Sequence, residues 1–117
     1  MTKLKKLIIA CDGESASGKS TAAKLVSKKY KLLLINSGLL YRYCSKLIIK
    51  YKPKSIVPFL KKKIKTISYK VIAKQKLHSE EISNHVAVIA KNKKVREIIN
   101  QFQMKIIRGN NRICVEG

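Results

Sequence analysis

The sequence predicts an α/β fold built on a parallel sheet, and three stretches carry that prediction. "KLIIACD" (6–12), "KLLLIN" (31–36) and "RICVE" (112–116) are short apolar runs, the pattern of strands covered on both faces. Between the first two lies a Gly/Ser-rich turn followed by helix-forming residues. Strand, turn, helix and strand therefore fit into about 30 residues as one βαβ unit, for which the crossover is expected to be right-handed.

Taken in order, the first helix is expected near Lys19, where "KSTAAKLVSKKY" places Ala22, Ala23, Leu25 and Val26 on an apolar side. After the second strand, "SGLLYRYCSKLIIKY" reads as a helix opening at Ser37, with Leu40, Cys44, Leu47 and Ile48 on one face. Pro53 and Pro58 interrupt the next segment: "IVPFLKKKI" reads as a short helix, and the alternation in "TISYKVIA" reads as a strand. From Ser79 the pattern is helical, with Ile82, Val86, Ile89 and Ala90, then Val95, Ile98, Ile99 and Phe102. A break at 91–94 divides it into two helices.

Composition bounds the function. At 117 residues and 45% hydrophobic, the chain makes one small domain with a modest core. The apolar run in "MTKLKKLIIA" is too short for a secretory signal, and no run is long enough for a membrane span. Cys11, Cys44 and Cys114 are odd in number and without CxxC spacing. They read as reduced, packed thiols of a cytoplasmic protein, which excludes a disulfide framework and a zinc site.

The net charge of +21 raises nucleic-acid binding as a function. Of the 27 basic residues, however, only Arg42, Arg96, Arg108 and Arg112 are arginine, alongside abundant Lys, Ile and Asn. An A/T-rich coding bias is enough to explain that choice. No aromatic stacking platform is visible among the Tyr and Phe residues. The charge, including Lys61, Lys62 and Lys63, is read as a solvated basic surface, and neither nucleic acid nor membrane is expected as a partner.

The chemistry concentrates in "GESASGKS", which matches GxxxxGK[ST] at each defined position. Gly13 and Gly18 permit backbone conformations that turn consecutive N–H groups inward around an anion. The helix after it adds its N-terminal partial charge. Lys19 would reach the β and γ phosphates, and the Ser20 hydroxyl would ligand Mg²⁺. The motif stands between a strand and a helix, the context that its mechanism demands. This is a P-loop, and it makes a nucleoside triphosphate, ATP, the expected ligand. At the end of the second strand, "NSGLLYR" (36–42) offers the Ser37 hydroxyl, the Tyr41 ring and the Arg42 guanidinium on the carboxyl edge of the sheet. These groups suit a second phosphate-bearing ligand, and they equally suit a helix cap followed by a partly buried Tyr.

"IACDGESASGKST", "LLLINSGLLYR", "LHSEEISNHVAVIAKNKKVREIINQFQ" and "ICVEG", in this order, resemble the N-terminal half of the cytidylate kinase family, the bacterial-type (d)CMP kinases. The resemblance implies transfer of the γ-phosphoryl group of ATP to CMP or dCMP, with Mg²⁺, in pyrimidine nucleotide metabolism. It implies a three-layer P-loop core over 1–35 and 98–117 and a mainly helical nucleoside-monophosphate-binding region over 36–97, with an insertion at about 50–76. About three of five strands are then present and the closing lid is absent. Little activity is expected of the chain by itself, which reads as a truncated form, a monomer that a complementing C-terminal fragment would complete.

By the same resemblance, Gly13, Glu14, Ser15, Ala16, Ser17, Gly18, Lys19, Ser20 and Thr21 embrace the ATP phosphates, with Lys19 catalytic and Ser20 on Mg²⁺. Ser37, Tyr41, Arg42, Arg96 and Gln103 line the CMP site. The chain departs from the family at Asn36, where Asp is usual, at His78, where Arg is usual, and at Ala87, where Ser commonly helps to recognise cytosine. Two other functions remain open: another P-loop nucleotide kinase, and a basic P-loop module that binds nucleotide or nucleic acid without catalysis.

Overall fold

A computed structural model describes residues 6–11 and 19–116. The elements run β1 (Leu7–Cys11), α1 (Lys19–Tyr30), β2 (Leu33–Asn36), α2 (Ser37–Tyr51), α3 (Ile56–Ile64), α4 (Tyr69–Ala73), α5 (Glu80–Ile89), α6 (Lys93–Arg108) and β3 (Arg112–Glu116). The fold is α/β with a three-stranded parallel sheet, as the apolar runs predict. The chain divides into two compact units, Met1–Ser37 with Lys105–Gly117, and Gly38–Met104.

The first unit is the sheet and α1. Its strand order is β1-β3-β2, so β3, the last strand in sequence, fills the place between the first two. All pairings are parallel, and the register sets Ile9 beside Cys114 and Cys114 beside Leu34. Ile35 of β2 and Ile113 and Cys114 of β3 are fully buried, which is why those strands read as apolar runs; β1 departs from the expected cover on both faces, since Ile8 is 46% exposed and Ala10 is exposed. Ala23 of α1 is packed with Leu32 and Cys114, and Leu7, Ile9, Val26 and Leu34 close around them. The buried stripe of α1 is narrower than its sequence suggests: Ala22 is exposed and Leu25 is 65% exposed, whereas Ala23, Val26 and Ser27 face inward at helical spacing.

The end of α1 is fastened in two ways. The Leu32 amide donates to the Ser27 carbonyl at 2.8 Å, closing a Schellman turn over Lys31, whose φ is +55°. Arg112 at the start of β3 donates from Nη2 to the Tyr30 carbonyl, setting a cation on the negative end of the helix. A side chain at positive φ costs about 1 kcal/mol relative to glycine. Lys31→Gly is therefore expected to raise the unfolding free energy by about 0.5–1 kcal/mol, read from the midpoint of urea denaturation at unchanged slope.

The second unit is helical, and its boundaries are set by caps. The αL residue Lys52 (φ +46°) ends α2, with its amide donating to the Ile48 carbonyl at 2.9 Å, just ahead of Pro53. Pro58 sits in the first turn of α3, where no N–H is required of it. Residues 66–73 correct the sequence reading: they hold helix α4, not a strand. Ser68 caps it by accepting from the Val71 amide at 3.4 Å. The buried pair is Tyr69 and Ile72 at i, i+3, while Val71 is half exposed. The expected break at 91–94 is real, because Asn92 Oδ1 accepts from the Lys94 and Val95 amides at 3.0 and 3.2 Å and starts α6 afresh. Val95, Ile98, Ile99 and Phe102 are buried, as their spacing predicts.

Cys44 lies at the core of this unit with no exposed surface. Burial pushes its thiol from 9.0 up to about 12. Below pH 9 the thiol is protonated in both folded and unfolded chains. As pH rises through 9 to 12 the unfolded thiol ionises first, so folding loses up to about 1.4 kcal/mol per pH unit from this group. The raised Tyr41 and Tyr43 phenols, both shifted mainly by burial, act in the same direction at higher pH. Chemical denaturation at pH 8 and pH 10.5 is expected to show a smaller alkaline loss in Cys44→Ala than in the parent.

Candidate functional site

In the first unit the parallel strands bring three residues to one carboxyl edge. Cys11 ends β1, Glu116 ends β3 and Asn36 ends β2, and the register sets Glu116 beside each of the others. Glu116 is only 4% exposed. Asn36 Nδ2 donates to its Oε2 at 3.4 Å, and Ser37 Oγ donates to its backbone carbonyl at 3.4 Å. A neutral amide at position 36 thus stands beside a buried carboxylate, where a second carboxylate would meet like-charge repulsion.

The phosphate-cradle residues Gly13, Glu14, Ser15, Ala16, Ser17 and Gly18 lie outside the described residues, as do the side chains of Lys19, Ser20 and Thr21. What the fold does fix is their frame: β1 ends at Cys11 on the carboxyl edge, and α1 begins at Lys19. No acidic residue stands in the first turn of α1, so the helix end keeps its positive character for a phosphate. A helix N-terminus that follows a strand end is a frame suited to an anionic group such as a phosphate. Among the described residues no group of three His, Cys, Asp or Glu side chains could hold a metal ion. Mg²⁺ accompanying a nucleotide takes most of its ligands from phosphate and water, with one or two from protein, which fits the single Ser20 hydroxyl.

In the second unit α2 is the organiser. Arg42 reaches from α2 with Nη1 to the Leu77 carbonyl at 3.1 Å and to Ser83 Oγ at 2.8 Å. One turn later Lys46 Nζ donates to Gln75 Oε1 at 3.1 Å. Two cations spaced i, i+4 on α2 therefore strap the α4–α5 connection. Ser79 caps α5 by accepting from the Ile82 amide at 3.1 Å, with Glu80 and Glu81 in its first turn.

Tyr41 is half-buried; burial raises its phenol pKa, while the positive charge of Arg96 pulls it back down. Arg96, on α6 and 55 positions further along the chain, therefore acts on the same ring that α2 presents. Its Nη1 donates to the Ala90 carbonyl at 2.8 Å, meeting the carbonyl end of α5. Arg96 thus stands within electrostatic reach of Tyr41, Arg42 follows Tyr41 on α2 with its own partners, and Gln103 is half-buried farther along α6. Ser37 and the P-loop residues belong to the first unit. Sequence reasoning missed Ser83, the Leu77 carbonyl and Lys46 as partners, since no spacing announces a hydrogen bond between helices.

A family model, cytidylate kinase, matches residues 9–117. The chain belongs to the cytidylate kinase family. Its similarity to individual members is of the same kind. A cytidylate kinase of Aquifex aeolicus (strain VF5) is 34% identical over 121 residues, covering 93% of this chain and 54% of that protein. A cytidylate kinase of Listeria monocytogenes serotype 4a (strain HCC23) is 32% identical, covering 85% and 50%. A bifunctional pantoate ligase/cytidylate kinase of Prochlorococcus marinus (strain AS9601) is 36% identical over 85% of this chain and 23% of its own. The chain thus spans about half the length of the cytidylate kinases it matches.

Within this chain the departures from the family pattern have definite positions. Asn36 faces Glu116, and His78 is exposed in the connection that Arg42 straps. Ala87 is exposed on α5, one turn beyond Ser83. No helix among the described residues is long and apolar enough to cross a membrane. Cys44 and Cys114 are both buried.

Proposed function

We propose that this chain acts in ATP-dependent phosphorylation of CMP or dCMP to the diphosphate, in the cytoplasm, as part of pyrimidine nucleotide metabolism. An oxygen of the CMP phosphate attacks the γ-phosphorus of ATP, the bond to the β–γ bridging oxygen breaks, and ADP leaves. Residues 13–21 hold the ATP phosphates, Lys19 neutralises charge building on the transferred group, and the Ser20 hydroxyl would hold the Mg²⁺ that accompanies ATP. Tyr41, Arg42, Arg96 and Gln103, with Ser37, take the CMP. Residues 1–35 and 98–117 are read as the P-loop core and 36–97 as the monophosphate-binding region.

The observation that carries this reading is the cytidylate kinase family match over residues 9–117, and the position of Arg96 within electrostatic reach of the Tyr41 phenol supports it. Arginine guanidinium groups suit a phosphate because their forked donors match its oxygens. In the free chain Arg42 holds Leu77 and Ser83, so its remaining donors are the ones offered to the ligand. The test is ADP release with ATP and Mg²⁺ and each of CMP, dCMP, UMP and AMP. Turnover that is at least tenfold faster with CMP or dCMP than with AMP is the expected result. Preference for AMP or UMP would transfer the chain to another nucleotide kinase specificity.

A further inference from the structure

We infer that the helical unit carries a binding surface for single-stranded nucleic acid, formed by the end of α2, the outer face of α3 and the Lys94–Gln101 side of α6, and using none of the residues proposed for the nucleotide site. The first observation is a charge distribution that the kinase reading does not use. Residues 15–79 contain 16 lysines and Arg42 and not one Asp or Glu. A coding bias that prefers Lys to Arg does not remove acidic residues from such a length.

The structure shows where those lysines go. On α3, Leu60 and Ile64 are buried, and helical spacing turns Lys61, Lys62 and Lys65 to the opposite, exposed side. One flank of α3 carries Val57 and Lys61, which share a cleft of about 200 Å³ with Lys94, Glu97, Ile98 and Gln101 of α6. The other flank carries Phe59 and Lys63, and meets the end of α2. There the rings of Tyr51 and Phe59 lie 5.8 Å apart, tilted by 55°. Lys63 Nζ stands 4.6 Å from the Tyr51 centroid and 5.8 Å from that of Phe59, and Lys50 Nζ stands 5.2 Å from Tyr51. Tyr51 is 49% exposed. An aromatic pair among cations is thus present, although no sequence spacing reveals it.

This combination identifies the ligand class. Lysine ammonium groups contact phosphates singly and without reading sequence, and the half-exposed Tyr51 ring offers an unpaired base a face to stack on once the flexible stems of Lys50 and Lys63 swing their ammonium groups from the ring to the phosphates. A double helix keeps its bases stacked inside and offers that ring nothing. An anionic bilayer would call for an apolar outer face, whereas α3 turns Pro58, Lys62 and Lys65 outward. Glu97 is the one carboxylate in the cleft lining, beside Lys61 and Lys94.

The test is fluorescence anisotropy of a labelled 12-nucleotide oligouridylate with the whole chain, in saturating ATP and CMP so that the nucleotide site is filled. Four phosphate contacts predict binding that weakens about 50-fold between 50 and 200 mM salt. The triple variant K61E/K62E/K63E is expected to abolish binding, while K70E/K74E, also an exposed charge reversal, retains it. Circular dichroism checks that both variants fold. Tyr51→Ala is expected to weaken oligouridylate about tenfold and to leave inorganic polyphosphate of matched charge within twofold. Equal loss for both ligands, no loss for either, or triple-variant-sensitive binding to phosphatidylserine vesicles without oligouridylate binding would overturn the inference.

Discussion

Lys19→Ala is expected to lower the parent's rate of phosphoryl transfer to CMP, itself expected to be small, by about 10²–10³-fold while leaving CMP affinity unchanged. Transfer of this kind asks little covalent chemistry of the protein, so most of the barrier reduction comes from positioned positive charge that meets charge developing on the γ-phosphoryl. Lys19 opens α1 directly after the P-loop segment, a position at which an ammonium adds to the helix-end potential. Lys19→Arg retains the charge, but a planar fork replaces a compact ammonium, and only a small part of the rate should return. Single-turnover ADP formation with saturating CMP measures the effect. A Lys19→Ala rate within threefold of the parent would remove Lys19 from the mechanism.

Arg42→Ala should act twice. Losing the bonds to the Leu77 carbonyl and Ser83 Oγ leaves a half-buried carbonyl without its donor and is expected to destabilise the helical unit by about 1–3 kcal/mol. Losing the guanidinium is also expected to weaken CMP binding by about 10–100-fold. Ser83→Ala separates the two effects, since it removes one strap contact and keeps the guanidinium. Its stability loss should be about 0.5–1.5 kcal/mol, with CMP affinity within threefold of the parent. Urea denaturation reads the first quantity and isothermal titration the second. Equal loss of CMP affinity in both variants would make Arg42 a structural strap alone.

How far these features could be read from sequence depends on whether the cause is local. β2 and β3 were legible because burial, as at Ile35 and Ile113, writes itself as an apolar run, whereas β1 carries the same kind of run although Ile8 is 46% exposed. The α5–α6 break was legible because Asn92 caps in place. Residues 66–73 were not, because Ile67, Tyr69 and Val71 alternate like a strand while the Ser68 cap and the Tyr69–Ile72 pair select a helix. Leu25 misled for the converse reason: apolar character gives no guarantee of a partner. Tyr41 and Arg42 were offered by their place after the second strand, and Arg96 by resemblance. Their tertiary partners, Ser83, the Leu77 carbonyl and the Ala90 carbonyl, lie across helices and leave no trace in spacing.

The central claim is that the helical unit gathers Tyr41, Arg42 and Arg96 to receive a pyrimidine monophosphate. The most direct measurement is amide chemical-shift mapping of the isotopically labelled chain during titration with CMP and, separately, AMP. Saturable CMP-induced shifts centred on residues 38–46 and 83–96, at least tenfold stronger in affinity than any AMP response, are the predicted result. Shifts confined to residues outside 38–104, or an indistinguishable response to AMP, would contradict it.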